Sequence, residues 1–199
     1  MRIALGSDHR GGKIAQAILS EVLFPEHCSE FATVDLVRQS TLVGAFLITG
    51  DRSKKGGFVG KKAENLLPHL AQSEEDDSAS AARKQHVLRV DYPEIAAAVA
   101  GQVSDKQADF GILVCATGIG MCIVANKFRS VRAAVCANEF TAEMSRHHND
   151  ANILCLPGEM LGAPSAVALV RRWLSTGYDG GRHQLRLEKI DAIERETGL

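Results

Sequence analysis

The sequence predicts an α/β fold: a Rossmann-like three-layer sandwich around a five-stranded parallel sheet, in a single domain over residues 1–199. Three observations predict it. Short apolar runs that suit strands alternate with amphipathic helical segments, which implies right-handed crossovers covering both faces of the sheet. The run Phe110-Gly111-Ile112-Leu113-Val114 is too short for a helix and apolar enough to be buried on both faces. It ends at Cys115, and Ala116-Thr117-Gly118-Ile119-Gly120 then turns into a helix that reads from Met121 to Lys127. Strand, glycine turn and helix start place a side chain and a row of backbone N–H groups at the carboxyl edge of a parallel sheet, where open α/β proteins bind ligands.

Arg2-Ile3-Ala4-Leu5 is the first strand and residues 6–12 are its loop. Lys13 to Leu23 carries apolar residues at Ile14, Ala17, Ile18 and Val22, a helical spacing with one apolar face. Pro25 separates that helix from a second strand, Phe31 to Val37. From about 38 to 89 the rhythm is lost. This stretch holds the apolar run Leu42 to Ile48, a basic glycine-containing patch from Arg52 to Gly57, and the acidic, serine-rich stretch Ser73 to Ser80. Such composition buries too little surface to offset ordering entropy, so an irregular insertion with a mobile loop is expected; a lid over the site is the sharper alternative.

Order resumes at Asp91-Tyr92-Pro93, which leads into an alanine-rich helix from Glu94 to Val103. Val131 to Cys136 is a strand, and Glu139 to His148 a helix entered through Asn138 as N-cap. Asn152 to Leu156 is the fifth strand. Pro164 to Leu174 is a helix, Tyr178 to Gly181 a turn, and His183 to Glu196 a charged terminal helix.

At 45% hydrophobic, 24% charged and a net charge of -1, the chain has no basic excess to suggest a nucleic-acid partner. No apolar run approaches the length of a membrane span and Met1-Arg2 leads into a strand, so a cytoplasmic protein is expected. Five cysteines, none in a CxxC pair, suggest neither a disulfide framework nor a structural zinc site.

Three polar clusters are expected to converge on the carboxyl edge: Asp8-His9, Cys115-Ala116-Thr117 and, less directly, His147-His148-Asn149-Asp150. A thiol, imidazoles, a carboxylate and backbone N–H donors suit proton abstraction beside a carbonyl, the N–H groups holding the enediolate oxygen. Each has a plainer alternative. A cysteine at a strand end is most often core, and paired histidines before Asn-Asp equally suit a helix C-terminus. The turn is not GxGxxG, which leaves a nucleotide-binding role a distant third possibility. Arg182 and Arg186, four apart on one helical side, either clamp a phosphate or form a solvated face.

Six segments, in order, resemble the family of ribose-5-phosphate isomerase B and the galactose-6-phosphate isomerase subunits: IALGSDHRGG (3–12), VDYPEIA (90–96), GILVCATGIGMCIVANKF (111–128), VRAAVC (131–136), SRHHNDANILCLPGEMLG (145–162) and GGRHQLRLEKI (180–190). The resemblance implies an aldose–ketose isomerase of carbohydrate metabolism, with a small phosphorylated sugar as its substrate and a cis-enediol intermediate. It implies Cys115 as the base, Thr117 and the N–H groups from Gly118 to Gly120 as the enediolate site, and His148 as the group that opens the sugar ring. Asp8 and Tyr92 match positions on the sugar, His9, Arg182 and Arg186 match positions on the phosphate, and Asn149 is a further substrate-binding position. It implies no metal and no organic cofactor, and a homodimer or homotetramer with sites near the subunit boundary. Three departures stand out: Ala116 where glycine is usual, Glu159 where relatives carry a phosphate-binding arginine, and the insertion at about 38–89. They leave two alternatives, isomerisation of another sugar (a tetrose or hexose phosphate, or a non-phosphorylated sugar) and a sugar-phosphate-binding module without catalysis.

Overall fold

The structure, a computed structural model, describes residues 1–24, 44–52, 58–67 and 91–198. Along the chain come β1 (Arg2–Ser7), α1 (Gly12–Ile18) continued by a π-helical turn (Leu19–Leu23), β2 (Gly44–Arg52) and β3 (Phe58–Asn65). They are followed by α2 (Tyr92–Ser104), β4 (Phe110–Cys115), α3 (Ile119–Ala125) and β5 (Ala133–Val135). The last elements are α4 (Glu139–Asn149), β6 (Ile153–Pro157), α5 (Ala163–Ser175) and α6 (Arg182–Thr197).

One sheet runs in the order β3-β2-β1-β4-β6-β5. β1, β4, β6 and β5 are mutually parallel, whereas β2 runs antiparallel to β1 and β3 antiparallel to β2. This corrects the expected five-stranded, wholly parallel sheet to a mixed one of six strands among the described residues. It also corrects the irregular insertion, because residues 44–52 and 58–65 are regular strands within it. The reason is legible in the burial: Ala45, Phe46 and Ile48 of the apolar run are buried, and an antiparallel ribbon covers the free edge of β1 without a crossover helix. The expected second strand at 31–37 and the acidic stretch at 73–80 lie outside the described residues.

Alternation along the parallel strands builds two apolar layers. Ile3, Leu5, Ile112, Val114, Leu154 and Leu156 face α1, α4 and α5, where Trp173 is fully buried. Ala4, Leu113, Cys115, Ile153 and Cys155 face α2 and α3. Trp173 meets Phe110 edge to face at 5.2 Å and donates from Nε1 to Ser145 Oγ at 3.1 Å, which ties α5 to α4 and β4.

Both ends of α4 are set by side chains. Asn138 is the N-cap, its Oδ1 accepting from Thr141 N–H at 2.8 Å. The helix stops at Asn149 because Asp150 adopts a left-handed conformation (φ 43°). Asp150 accepts from Arg132 Nη2 at 2.9 Å and from Arg146 Nη1 at 2.8 Å, and the buried Arg146 guanidinium lies 4.8 Å over the Phe110 ring.

Candidate active site

Cys115 is the last residue of β4, 5% exposed, on the strand face that meets α2 and α3. Gly118 N–H donates to Cys115 Sγ at 3.2 Å. That geometry requires Gly118 to turn left-handed (φ 74°), which puts glycine at the N-cap of α3. The exposed Thr117 turns its Oγ1 to Ile119 N–H at 3.3 Å, a long bond that an anionic oxygen can replace. Thiol, hydroxyl and first-turn N–H groups therefore meet around one point, as the strand–turn–helix pattern demands.

Two other segments close round that point. Tyr92, first residue of α2, lays its ring on Gly120, where a Cβ would come within 2.7 Å of Tyr92 Cε2. Asp8 follows β1; its buried carboxylate accepts from Arg10 N–H at 2.9 Å and Gly11 N–H at 3.0 Å, which fixes the loop. His9 Nδ1 is buried without a hydrogen-bond partner. The loop after β6 seals the floor: Gly158 N–H donates to Cys115 O at 2.7 Å and Glu159 N–H to Ala116 O at 3.1 Å. Glu159 carries an ion pair to Arg10, Nη1 to Oε1 at 3.6 Å, which the sequence reading did not anticipate.

His148, Asn149, Arg182 and Arg186 form a second group elsewhere. A helix that follows a strand of a parallel sheet starts at the carboxyl edge and returns to the amino edge. Accordingly α4 ends beside the start of β5 and β6, where Arg132 Nε donates to Asn149 O at 3.0 Å and Gly111 N–H to Asn152 O at 2.8 Å. Cys115 pairs with Pro157 and Gly111 with Ile153, so the edges are four strand steps apart, about 13 Å at ~3.3 Å per residue. The expected convergence of all three clusters on one edge is corrected to two groups at opposite edges of one chain. His148 and Asn149 end a helix and not a strand, and so fall at the amino edge.

At the amino edge the His148 and His183 rings stack at 4.3 Å, 5° from parallel. His147 serves the structure: its Nδ1 bonds Asp179 Oδ1 at 2.7 Å and its Nε2 faces Glu143 at 3.6 Å. Burial holds the His183 imidazole below its usual range, with His148, Arg182 and Arg186 acting the same way and Asp179 against them. Donor atoms of His148, Asp179 and His183 lie within 4.8 Å of one another, the only such trio among the described residues. Parallel rings cannot both aim a lone pair at one ion, so a shared metal would require one ring to turn. His183 is signalled in the sequence by its place beside Arg182, whereas nothing local marks Asp179 for this cluster.

Behind Cys115, α3 carries a second unusual thiol. Cys122 is lowered to about 7 by a hydrogen bond from Cys155, with help from the Val135 backbone and the Asn126 amide and against the effect of burial. That same hydrogen bond, followed by burial, holds Cys155 well above the ordinary thiol range.

Residues 56–190 match the family model described as Ribose/Galactose Isomerase. The chain is 47% identical over 107 residues to ribose-5-phosphate isomerase B of Escherichia coli (strain K12), an overlap covering 54% of this chain and 72% of that one. Among solved structures it resembles ribose-5-phosphate isomerase B of Clostridium thermocellum, with a TM-score of 0.62, 32% identity and 98% of each chain covered. It also resembles the Mycoplasma genitalium ribose-5-phosphate isomerase B with bound ribulose-5-phosphate, with a TM-score of 0.60, 28% identity and 96% of this chain and 95% of that chain covered.

Proposed function

The chain belongs to the ribose/galactose isomerase family, and from that membership we propose that it interconverts the aldose and ketose forms of a small phosphorylated sugar, with Cys115 as the base. The observation that carries the mechanism is the contact of Gly118 N–H with Cys115 Sγ, at the N-cap of α3. The Cys115 thiolate takes the proton from the carbon beside the carbonyl. Charge passes to the carbonyl oxygen, and the N–H groups at 118–120 with Thr117 hold the resulting enediolate. The hydroxyl proton on the adjacent carbon passes to the former carbonyl oxygen and the Cys115 thiol returns its proton to the former carbonyl carbon, so one carbon is reduced as its neighbour is oxidised and no external redox partner is needed. Asp8 and Tyr92 hold the sugar hydroxyls.

Ring opening needs a proton at the ring oxygen, a task for His148, which stands about 13 Å of strand away in the same chain. We therefore assign the working unit to a homodimer, in which the Cys115 edge of one protomer faces the His148 edge of another. His9 of the first protomer and Asn149, Arg182 and Arg186 of the second complete the sugar and phosphate contacts. Exposed apolar side chains beside the thiol helix, Ile119, Ile123 and Val135, support such a face. No described helix is long and apolar enough to cross a membrane, and the cytoplasm is the expected place of action.

Ribose 5-phosphate incubated with the protein in D2O and followed by NMR should show isomerisation with deuterium incorporation at the exchanging carbon. Cys115→Ala should keep its fold and lose at least ~10²-fold in turnover, the usual weight of a general base. Equal rates for variant and wild type would remove the thiol from the mechanism. Binding without exchange in the wild type would favour the non-catalytic module, and exchange confined to tetrose or hexose phosphates would reassign the substrate.

A further inference from the structure

Arg10 and Glu159 stand at the rim of the Cys115 site, on two loops that are each held in place, one by the Asp8 carboxylate and the other by the backbone of residues 115 and 116. On Arg10's side, the buried Asp8 carboxylate receives the N–H groups of residues 10 and 11, so the position of the Arg10 backbone is fixed. On Glu159's side, backbone bonds from Gly158 and Glu159 to Cys115 O and Ala116 O fix the loop. A Cβ on Gly158 would meet both Gly11 Cα and Cys115 O at 3.1 Å, so the two loops also touch each other.

The ion pair between them is loose. One guanidinium nitrogen faces one carboxylate oxygen at 3.6 Å, and both side chains are more than half exposed, at 56% and 55%. Such a pair is weak in water and leaves most of the arginine's five-donor fork unused. A phosphate dianion offers that fork two oxygens and twice the charge of a carboxylate. Beside Arg10, His9 adds a buried ring nitrogen without a partner.

We propose that Arg10 receives the substrate phosphate on the thiol side of the site and that Glu159 competes with the phosphate for it. The inference rests on the isomerase reading above. On this arrangement Glu159 keeps the arginine parked at the rim while no anion is bound, and the incoming phosphate must displace it. The pair thereby sets the affinity for phosphorylated over neutral sugars, and Glu159 weakens it relative to a bare arginine.

The test is titration calorimetry of the full-length protein with inorganic phosphate and with ribose 5-phosphate, beside steady-state kinetics. Arg10→Ala should raise Kd for both ligands at least tenfold, with the kinetic loss falling mainly on KM, and Arg10→Lys should recover part of the affinity. Glu159→Gln should lower Kd at least threefold, an effect that shrinks as NaCl screens the carboxylate. Melting temperature and elution volume check that the variants fold, with Arg10→Gln held as a second replacement. An Arg10→Ala Kd within twofold of wild type, or weaker binding in Glu159→Gln, overturns the proposal. So does a wild type that binds neither ligand. A wild type that binds but does not isomerise defeats the isomerase reading alone, since the Kd comparison still decides what Arg10 does.

Discussion

A methyl group added at Gly120 would sit 2.7 Å from Cε2 and 2.8 Å from Cζ of Tyr92. The ring is 42% exposed and can swing outward, so the strain is relieved by moving one wall of the site and not by opening the core. Gly120→Ala should accordingly leave stability within ~1 kcal/mol of wild type, as for substitutions outside the core, and lower kcat/KM by about tenfold. Melting curves and kinetics on one preparation check both halves of that statement. Residue identities at this edge were readable because chemistry and backbone demand coincide: a thiol ends an apolar strand and Gly118 follows where a left-handed turn is required. Arg10 with Glu159, and His148 with His183, were not readable. Their partners are 149 and 35 positions apart, and nothing local in either segment names the other.

At the scale of single elements, α4 shows what sequence conveys well and what it does not. Its N-cap at Asn138 and its end near the paired histidines follow from local chemistry, and the structure places both within a residue of expectation. Its direction relative to the sheet depends on the strands at either end, and that decides which edge receives His148. The ribbon of β2 and β3 was missed for a related reason: the apolar run at 42–48 was visible, but a strand on an antiparallel edge carries no mark of its neighbour. Where α4 meets α6, the burial of His183 gives a pH dependence. The His183 pKa is lowered in the folded protein, so the unfolded chain binds the proton more readily. Stability should therefore be unaffected by this group above about pH 6.5 and fall as the pH drops below it. Urea midpoints at pH 7.5 and 5.5 should differ more for wild type than for His183→Gln, and equal differences would contradict this account.

For the molecule as a whole, the proposed dimer has each chain offer half of two different sites. Cys115→Ala and His148→Ala proteins should each be nearly inactive. Unfolded together and refolded as a mixture, they should regain about one quarter of wild-type activity, since half of randomly paired dimers are mixed and each holds one intact site. A mixture no more active than its components would place both residues in one protomer's site.

The two edges also differ in how firmly they are held. Cys115 ends a strand bonded on both sides, by β1 and β6, whereas α6 docks through only two buried side chains, His183 and Leu187. Warming should therefore loosen the half that bears Arg182 and Arg186 while the thiol half keeps its shape. KM for a sugar phosphate should begin to climb several degrees before kcat departs from its Arrhenius line. Amide hydrogens of Ile112 to Val114 should be among the last to exchange, which makes loss of grip on the phosphate, and not loss of the base, the first symptom of heat.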